Sequence, residues 1–198
     1  MAGKNAPLAS LILIRHAPIA EQGRLFGRTD APARLDASDI LGLRRRLGGV
    51  AQVISSPARR CRQTAAAIWT DGRDIPADAR LWEQSFGDHE GLAYAELPDL
   101  GPLGGADLAA YAPPKGESFN AVCARAWPAL QELAERAHAI DGPIALVVHA
   151  GIVRAAIAQV IEVPSAALAF EVAPLSLSRF RVGPAGLVAI SSVNETAR

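Results

Sequence analysis

The chain has 198 residues, of which 50% are apolar and 20% charged. A chain of this length can bury one full hydrophobic core, so we expect a single globular domain over residues 1–198. Lysine plus arginine number 20 and balance aspartate plus glutamate, which also number 20. A neutral chain gives no electrostatic reason to expect nucleic acid or a membrane surface as a partner, so any attraction for an anion must be local.

Cysteine usage and the N-terminal region bear on the compartment. The two cysteines, Cys61 and Cys123, are too few for a disulfide framework and lack the spacing of metal ligands. The apolar run Leu11–Ile14 is too short for a secretory signal, and Arg15 and His16 follow it at once. No stretch approaches the roughly 18 apolar residues of a spanning helix. We therefore expect a reduced, cytoplasmic protein.

Apolar patterning predicts alternating strands and helices. Runs of aliphatic and β-branched residues bounded by glycine, proline or serine predict strands at Leu8–Ile14, Val50–Ile54, Ile144–Val148, Leu175–Val182 and Leu187–Val193. Stretches with helical spacing predict helices at Ser38–Leu47, Pro57–Trp69, Ser118–Ile140 and Ile152–Ile161. The inner strands are apolar without alternation. This pattern indicates an α/β fold, a three-layer α/β/α sandwich with a mostly parallel central sheet.

The stretch Glu90–Glu117 differs from the rest of the chain. Glycine and proline interrupt it throughout, and short helical pieces are predicted around Tyr94–Leu97 and Asp107–Tyr111. We interpret it as a lid-like insertion, because long excursions of this kind in a compact domain are often functional.

Three predicted strands end in residues that suit an anion site. One strand ends in Arg15-His16, another runs into His149, and a third leads through Ser55-Ser56 into a helix that carries Arg60. In open α/β sheets, ligands bind beyond the carboxyl ends of the strands, so these side chains are expected to converge. The start of the helix itself favours an anion.

This combination of residue types suits phosphoryl transfer through a covalent intermediate. A neutral imidazole is a competent nucleophile near pH 7, and guanidinium groups match phosphate oxygens in bidentate geometry. A proton shuttle is also required. Glu83 follows a short apolar piece that we predict to be another strand end, and Asp88 and Glu90 are alternative carboxylates for the same task.

Five blocks, in the same order along the chain, resemble those of the histidine phosphatase superfamily, also called the phosphoglycerate mutase-like family. The family motifs are Arg-His-Gly, SSPxxRAxxTA, LxExxFGxWEG, PGGESF and VV(S/T)HGG. The matching segments are Arg15–Ala17, Ser55–Ala65, Leu81–Gly91, Pro114–Phe119 and Val147–Gly151. Within the family the sequence is similar to the bacterial α-ribazole phosphatase-like enzymes.

The resemblance implies a role for each matching residue. His16 would take the phosphoryl group, and Arg15, Arg60 and His149 would form a cationic clamp around its oxygens. Glu83 would protonate the leaving alkoxide and then activate water. The implied activity is a phosphomonoesterase that needs no cofactor and no metal. It would act on a small-molecule phosphate ester, with α-ribazole 5′-phosphate as a candidate, and release inorganic phosphate.

Other residues are assigned from their positions. Gln22, Arg28 and Thr29 follow the predicted nucleophile strand and are expected to contact substrate, although the polarity of a surface loop explains them equally well. His89 stands where the family has tryptophan, so it either packs as that residue does or borders the pocket. The oligomeric state is not readable from the sequence.

Two departures from the family pattern keep other functions open. Ala17 replaces the usual glycine, which is harmless only if its backbone φ is negative. Ile19 removes a hydroxyl that commonly helps to hold phosphate. These changes favour a catalytically weak phosphate-binding or regulatory protein as an alternative. A phosphoglycerate mutase-type phosphotransferase is a second alternative, although the sequence shows no clear group for a second phosphate or carboxylate. A metal-dependent hydrolase lacks a ligand cluster at recognisable spacing.

Overall fold

The strands of the computed structural model, which describes residues 9–196, form one five-stranded sheet in the order β2-β3-β1-β4-β5. They are β1 (Ser10–Arg15), β2 (Gln52–Ser55), β3 (Ile144–Val148), β4 (Leu177–Gly183) and β5 (Gly186–Glu195). The neighbours β2, β3 and β1 are parallel, so their carboxyl ends share one edge of the sheet.

The helices are α1 (Ala37–Arg46), α2 (Arg59–Ile68), α3 (Gly105–Ala110), α4 (Phe119–Ala139), α5 (Ala150–Ile161) and α6 (Pro164–Ala167). Side-chain caps explain where two of them begin. Asp36 accepts from the backbone N–H groups of Ser38 and Asp39 at the start of α1. Ser118 accepts from Ala121 at the start of α4. Each cap provides a partner for a backbone donor that the helix itself leaves free.

Successive side chains of the inner strands pack into two separate hydrophobic cores, one on each face of the sheet. In β1, Leu11 and Leu13 pack with α4 and α5 on one face of the sheet. Ile12 and Ile14 pack with α1 and α2 on the other face. Because successive side chains of a strand point to opposite faces, an apolar run without alternation requires helices on both sides. The predicted three-layer α/β/α sandwich is confirmed.

The core of the sheet, β2-β3-β1, is parallel as predicted, and β4 and β5 add an antiparallel edge, since β4 is antiparallel to β1 and β5 to β4. Two local predictions are corrected or bounded by the structure. The segment before Glu83 is a short 3-10 helix, Ala79–Leu81, and not a strand. Leu8, the first residue of the first predicted strand, lies outside the described residues.

The insertion over residues 90–117 contains two short helical pieces, as its sequence suggests. A 3-10 turn spans Tyr94–Glu96, and α3 follows. Four large apolar side chains of this segment are more than a third exposed: Tyr94, Leu100, Leu103 and Leu108. Within the described residues, no helix is both long enough and apolar enough to cross a membrane.

Candidate active site

The ends of the three parallel strands meet as their sequences predict. The backbone N–H of His16, just beyond β1, donates to the Val148 carbonyl at 2.9 Å. The N–H of Ser56, just beyond β2, donates to the Val147 carbonyl at 2.9 Å. The residues that follow the strands are thereby held to the end of β3, where His149 precedes α5.

His16 is held in a single tautomer. Its Nδ1 lies 2.7 Å from the Ala17 carbonyl, which can only accept, so Nδ1 carries the proton. Nε2 therefore presents its lone pair. The imidazole is 3% exposed. Burial, followed by the charge of Arg60, lowers the pKa of His16 from 6.5 to about 3. The ring is consequently neutral near pH 7, as a nucleophile must be.

Arg60, in the first turn of α2, is fully buried next to His16. Its Nε donates to His16 Nε2 at 3.3 Å. Its Nη atoms donate to the Gly27 carbonyl at 2.7 Å, to the Thr29 carbonyl at 3.1 Å and to His149 Nδ1 at 3.1 Å. These four partners are neutral groups, so the buried cation is oriented without being neutralised. Such a cation is prepared to bind an anion.

His149 connects Arg60 to the end of β2. Because a guanidinium only donates, His149 Nδ1 must accept from Arg60, and its Nε2–H then faces Ser56 Oγ at 2.8 Å. The ring is fully buried and lies edge to face with His16, with the ring centroids 5.2 Å apart. Burial most of all, and then the cationic groups nearby, holds the pKa of His149 well below its ordinary value.

Arg15 brings a second guanidinium to the site. Its Nη1 donates to the Val172 carbonyl at 2.5 Å. Its Nε is buried and has no hydrogen-bond partner among the described residues. Burial lowers the pKa of this guanidinium, and the nearby charge of Glu83 opposes that shift. The free donor and its positive charge allow Arg15 to stabilise an anionic ligand at this point.

Glu83 is positioned by the start of α5. Its carboxylate accepts from the backbone N–H of Gly151 at 3.1 Å and from that of Gln84, also at 3.1 Å. A Cβ built on Gly151 would overlap Glu83 Oε1, so only glycine allows this close approach. Arg125 donates to the Trp82 carbonyl at 3.1 Å and thereby holds the backbone just before Glu83.

The two alternative carboxylates, Glu90 and Asp88, have partners away from His16. Glu90 accepts from four backbone N–H groups, those of Gly27, Arg28, Thr29 and Phe86, at 2.8 to 3.0 Å. Burial favours a higher pKa, but these donors outweigh it and lower the pKa of Glu90. Asp88 is exposed and pairs with Lys115 at 3.0 Å. Of the three carboxylates, Glu83 is the one that lines a cavity together with His16.

Two connected depressions open in front of His16. The central cavity, of about 190 Å³, is lined by Arg15, His16, Glu83 and Gly151 among others. The outer groove, of about 220 Å³, shares Arg15 and His16 with it and is also lined by Gln22. Arg15 and His16 therefore line both depressions, whereas Glu83 lines the central cavity and Gln22 the outer groove. Arg60 and His149 lie behind His16.

Arg28 and Thr29, which we expected to contact substrate, line neither depression. They contact Glu83 and Arg60 instead. Arg28 Nε donates to the Glu83 carbonyl at 3.1 Å, and its guanidinium lies 5.7 Å from the ring centre of Trp82. The Thr29 carbonyl accepts from Arg60, and its N–H donates to Glu90. The backbone polar groups of Thr29 and the Nε of Arg28 are thus occupied by partners within the protein.

Sequence reasoning missed two further cations at the central cavity, Arg24 and Arg154. Arg24 pairs with Glu21 at 2.9 Å, and Arg154 donates to the Phe170 carbonyl at 3.0 Å. A signal for Arg154 was present, because it is the one charged residue of α5, a helix that is otherwise apolar apart from Gln159. It lies one turn beyond Gly151, and residues three apart share a helix face.

The two departures from the family pattern differ in their consequences. Ala17 is not among the residues with positive φ, so the methyl group causes no backbone strain. Its N–H donates to Thr64 Oγ1 at 3.0 Å. Ile19, in contrast, lines both the central cavity and the outer groove and presents an apolar surface there. Among residues 9–196, no group of three or more His, Cys, Asp or Glu side chains is arranged to hold a metal ion.

The chain is similar to mycobacterial glucosyl-3-phosphoglycerate phosphatases. That of Mycobacterium tuberculosis H37Rv is 34% identical over 151 residues, which cover 71% of this chain and 65% of the relative. That of Mycolicibacterium vanbaalenii is 31% identical over 175 residues, covering 78% of this chain and 75% of the relative. The match thus spans just under two thirds of the length of the M. tuberculosis relative.

A solved structure of such a phosphatase is also similar to this chain in its fold. The complex of mycobacterial glucosyl-3-phosphoglycerate phosphatase with inorganic phosphate superposes with a TM-score of 0.79 at 26% identity, covering 95% of this chain and 98% of that one. The relatives named here are phosphatases, and the narrower likeness of this chain to the α-ribazole branch stays a prediction. A model of the histidine phosphatase superfamily (branch 1) matches residues 11–196, and the chain belongs to that family.

Proposed function

We propose that the chain is a phosphomonoesterase that works through a phosphohistidine at His16. The observation that carries this proposal is the state of His16, whose neutral imidazole lines a cavity together with Arg15 and Glu83. A buried neutral imidazole between a guanidinium and a carboxylate has what phosphoryl transfer needs: a nucleophile, a positive charge and a proton carrier.

In the first step, His16 Nε2 attacks phosphorus and the bond from phosphorus to the ester oxygen breaks. Glu83, in its protonated form, gives its proton to that oxygen, and the alcohol leaves. The Nδ1–H bond to the Ala17 carbonyl stabilises the positive charge that the imidazole gains. In the second step, Glu83 as a carboxylate takes a proton from water. The water oxygen attacks phosphorus, and inorganic phosphate leaves His16 neutral again.

The clamp requires Arg60 to exchange partners. A phosphoryl group on Nε2 takes the place of the contact from Arg60 Nε, which is 3.3 Å long in the unliganded site. The guanidinium then donates to phosphoryl oxygens, as does the free Nε of Arg15. His149 Nδ1 accepts from Arg60 at 3.1 Å, so His149 donates to a phosphoryl oxygen only after Arg60 turns to the phosphate and the proton on Nε2 moves to Nδ1. We include His149 in the clamp on the resemblance to the family, with this change of tautomer.

The substrate we propose is a small-molecule phosphate ester. α-Ribazole 5′-phosphate is one candidate, from the resemblance of the sequence to that branch. The ester named for the mycobacterial relatives, glucosyl-3-phosphoglycerate, is another. No nucleic acid or membrane partner forms part of this proposal, and a cytoplasmic location remains our expectation.

One observation favours a phosphotransferase as the second candidate function. Arg24 and Arg154 line the central cavity in addition to Arg15. These cations offer a place for the second phosphate or carboxylate that a phosphoglycerate mutase must hold, which the sequence alone did not reveal. Incubation with 3-phosphoglycerate separates the two functions, because a phosphatase releases inorganic phosphate whereas a mutase produces the 2-phospho isomer.

The test of the proposal is hydrolysis of an aryl phosphate by the wild type, His16→Ala and His138→Ala. A chelator is present throughout, and the pH is varied from about 5 to 8 to cover histidine titration. His138 is exposed and serves as a matched histidine control. We expect turnover by the wild type and His138→Ala, and none by His16→Ala. Binding of phosphate without turnover by the wild type would instead indicate a phosphate-binding protein.

A further inference from the structure

A third cavity lies beneath the insertion and takes no part in the chemistry described above. Its volume is about 300 Å³. We call it the insertion cavity. The insertion contributes six of its wall residues: Leu97, Pro98, Leu100, Leu108, Tyr111 and Pro113. Among the described residues that line it, none is Asp, Glu, Lys or Arg, and the polar side chains are Gln84, His89 and Tyr111.

The insertion cavity adjoins the central cavity. The two share five wall residues: Leu25, Gln84, Phe86, Phe119 and Leu168. A phosphate ester held at His16 thus has two environments within reach. The phosphoryl end faces Arg15 and Glu83, and the alcohol end can extend past Phe86 and Phe119 into the apolar space.

The chemistry of this wall selects among alcohols. Phe86, Phe119, Tyr111 and His89 place aromatic rings around the cavity, and ring against ring is a favourable packing for a flat aromatic group. A sugar or glycerol group would lose its water there and find few hydrogen-bond partners, which is costly for each unpaired hydroxyl. An aromatic hydrocarbon group has no hydroxyl hydrogen bonds to water to lose, so its burial there is favourable.

We propose that the insertion cavity binds an aromatic part of the substrate's alcohol, so that the preferred substrates are phosphomonoesters of bulky aromatic alcohols. This inference rests on the proposed phosphomonoesterase activity and names its substrate class. It also gives His89 a position at the edge of the substrate site, in place of the tryptophan of the family pattern.

The test compares two esters that leave as primary alkoxides, so that the leaving groups are matched. They are 2-(1-naphthyl)ethyl phosphate and glycerol 1-phosphate. We expect kcat/KM of the wild type to favour the naphthyl ester by about tenfold or more, the range that an apolar pocket provides. Equal kcat/KM values for the two esters would overturn the inference and leave the phosphatase proposal intact. Hydrolysis of neither ester would count against the phosphatase proposal itself.

Two leucines of the insertion provide a matched pair of variants. Leu108 lines the insertion cavity and is 44% exposed, whereas Leu103 is 40% exposed and is not part of its wall. Leu108→Asp should remove the preference for the naphthyl ester, a loss of about tenfold, with glycerol 1-phosphate unaffected. Leu103→Asp should change neither rate. A preference that persists in Leu108→Asp would overturn the placement of the aromatic group in this cavity.

Discussion

The Nε of Arg60 lies 3.3 Å from the Nε2 of His16, so the cation occupies the lone pair that must attack phosphorus. In the unliganded site this contact fixes the imidazole and keeps it unprotonated. When a phosphoryl group arrives, the same guanidinium is already next to the transferring oxygens. Nucleophile and clamp are therefore oriented by one hydrogen bond, which Arg60 exchanges for the phosphoryl oxygens when substrate binds.

Arg60→Lys tests this relationship. Lysine keeps the charge but cannot contact His16, His149 and two carbonyls at once. We expect kcat/KM to fall by about 100-fold or more, the cost of removing one well-placed donor to a developing anion. The affinity for inorganic phosphate should fall as well. Arg62→Lys is the control, because Arg62 is exposed on the same helix. Equal activity in the two variants would contradict the clamp.

Gly151→Ala tests the position of Glu83 without changing Glu83 itself. The added methyl group would overlap Glu83 Oε1 and displace the carboxylate from the start of α5. We expect a loss of kcat of about 100-fold, comparable with that of Glu83→Gln, since general acid–base catalysis contributes 10²–10⁴-fold. Gly48→Ala is the matched control, because a Cβ there meets nothing within 4 Å. Full activity of Gly151→Ala together with full activity of Glu83→Gln would show that Glu83 does not carry the proton.

Glu90→Gln tests a positioning role. Glu90 accepts from the three backbone N–H groups of Gly27–Thr29 and from that of Phe86, and the carbonyls of Gly27 and Thr29 hold Arg60. An amide can accept at one oxygen only, so the loop should loosen and Arg60 should lose its orientation. We expect kcat to fall about tenfold or more, with weaker phosphate binding. Asp88→Asn, which breaks an exposed ion pair, should leave kcat unchanged. A loss of kcat in Asp88→Asn, with full activity in Glu90→Gln, would instead identify Asp88 as the proton carrier.

The buried histidines predict how stability depends on pH. The pKa of His16 is lowered from 6.5 to about 3 on folding, so below pH 6.5 the unfolded chain binds the proton that the folded chain excludes. Stability contributed by the neutral ring is therefore present above that pH and lost as the pH falls. His149 has a pKa shift in the same direction. Each such histidine contributes a slope of up to about 1.4 kcal/mol per pH unit.

Urea unfolding at about pH 7 and about pH 5 measures this dependence. The free energy of unfolding of the wild type should fall between these two values. His16→Gln should reduce the fall, whereas His138→Gln, on an exposed position, should not. Carboxylates contribute little in this window, because their ordinary pKa of 4.5 lies below it. A wild-type free energy that is independent of pH would contradict the buried neutral state.

Much of the site could be predicted because parallel strands impose a common edge. Arg15-His16, Ser56 and His149 each follow an apolar run, and neighbouring parallel strands place their carboxyl ends together. The register of Arg60 within the first turn of α2 also came from the sequence blocks. These inferences depend on local patterns, and the structure places the residues accordingly.

The remaining features depend on tertiary contacts that leave little local trace. The antiparallel β4–β5 pair could have been inferred, because only Pro184-Ala185 separates the two strands and a parallel pair needs a long crossover. Glu83 is placed by Gly151, which is distant in sequence. The insertion cavity is built from leucines and rings without helical or strand periodicity, so no pattern in the chain predicted it.

The central claim is tested most directly by identifying the phosphorylated residue. The Glu83→Gln variant, mixed with an aryl phosphate and quenched in base, should accumulate the intermediate. An aryl oxide leaves without an acid, whereas hydrolysis of the phosphohistidine lacks its base. Mass spectrometry of the peptides should then place one phosphoryl group on His16, and none should be found in His16→Ala. A phosphoryl group on another residue, or turnover by His16→Ala, would contradict the account.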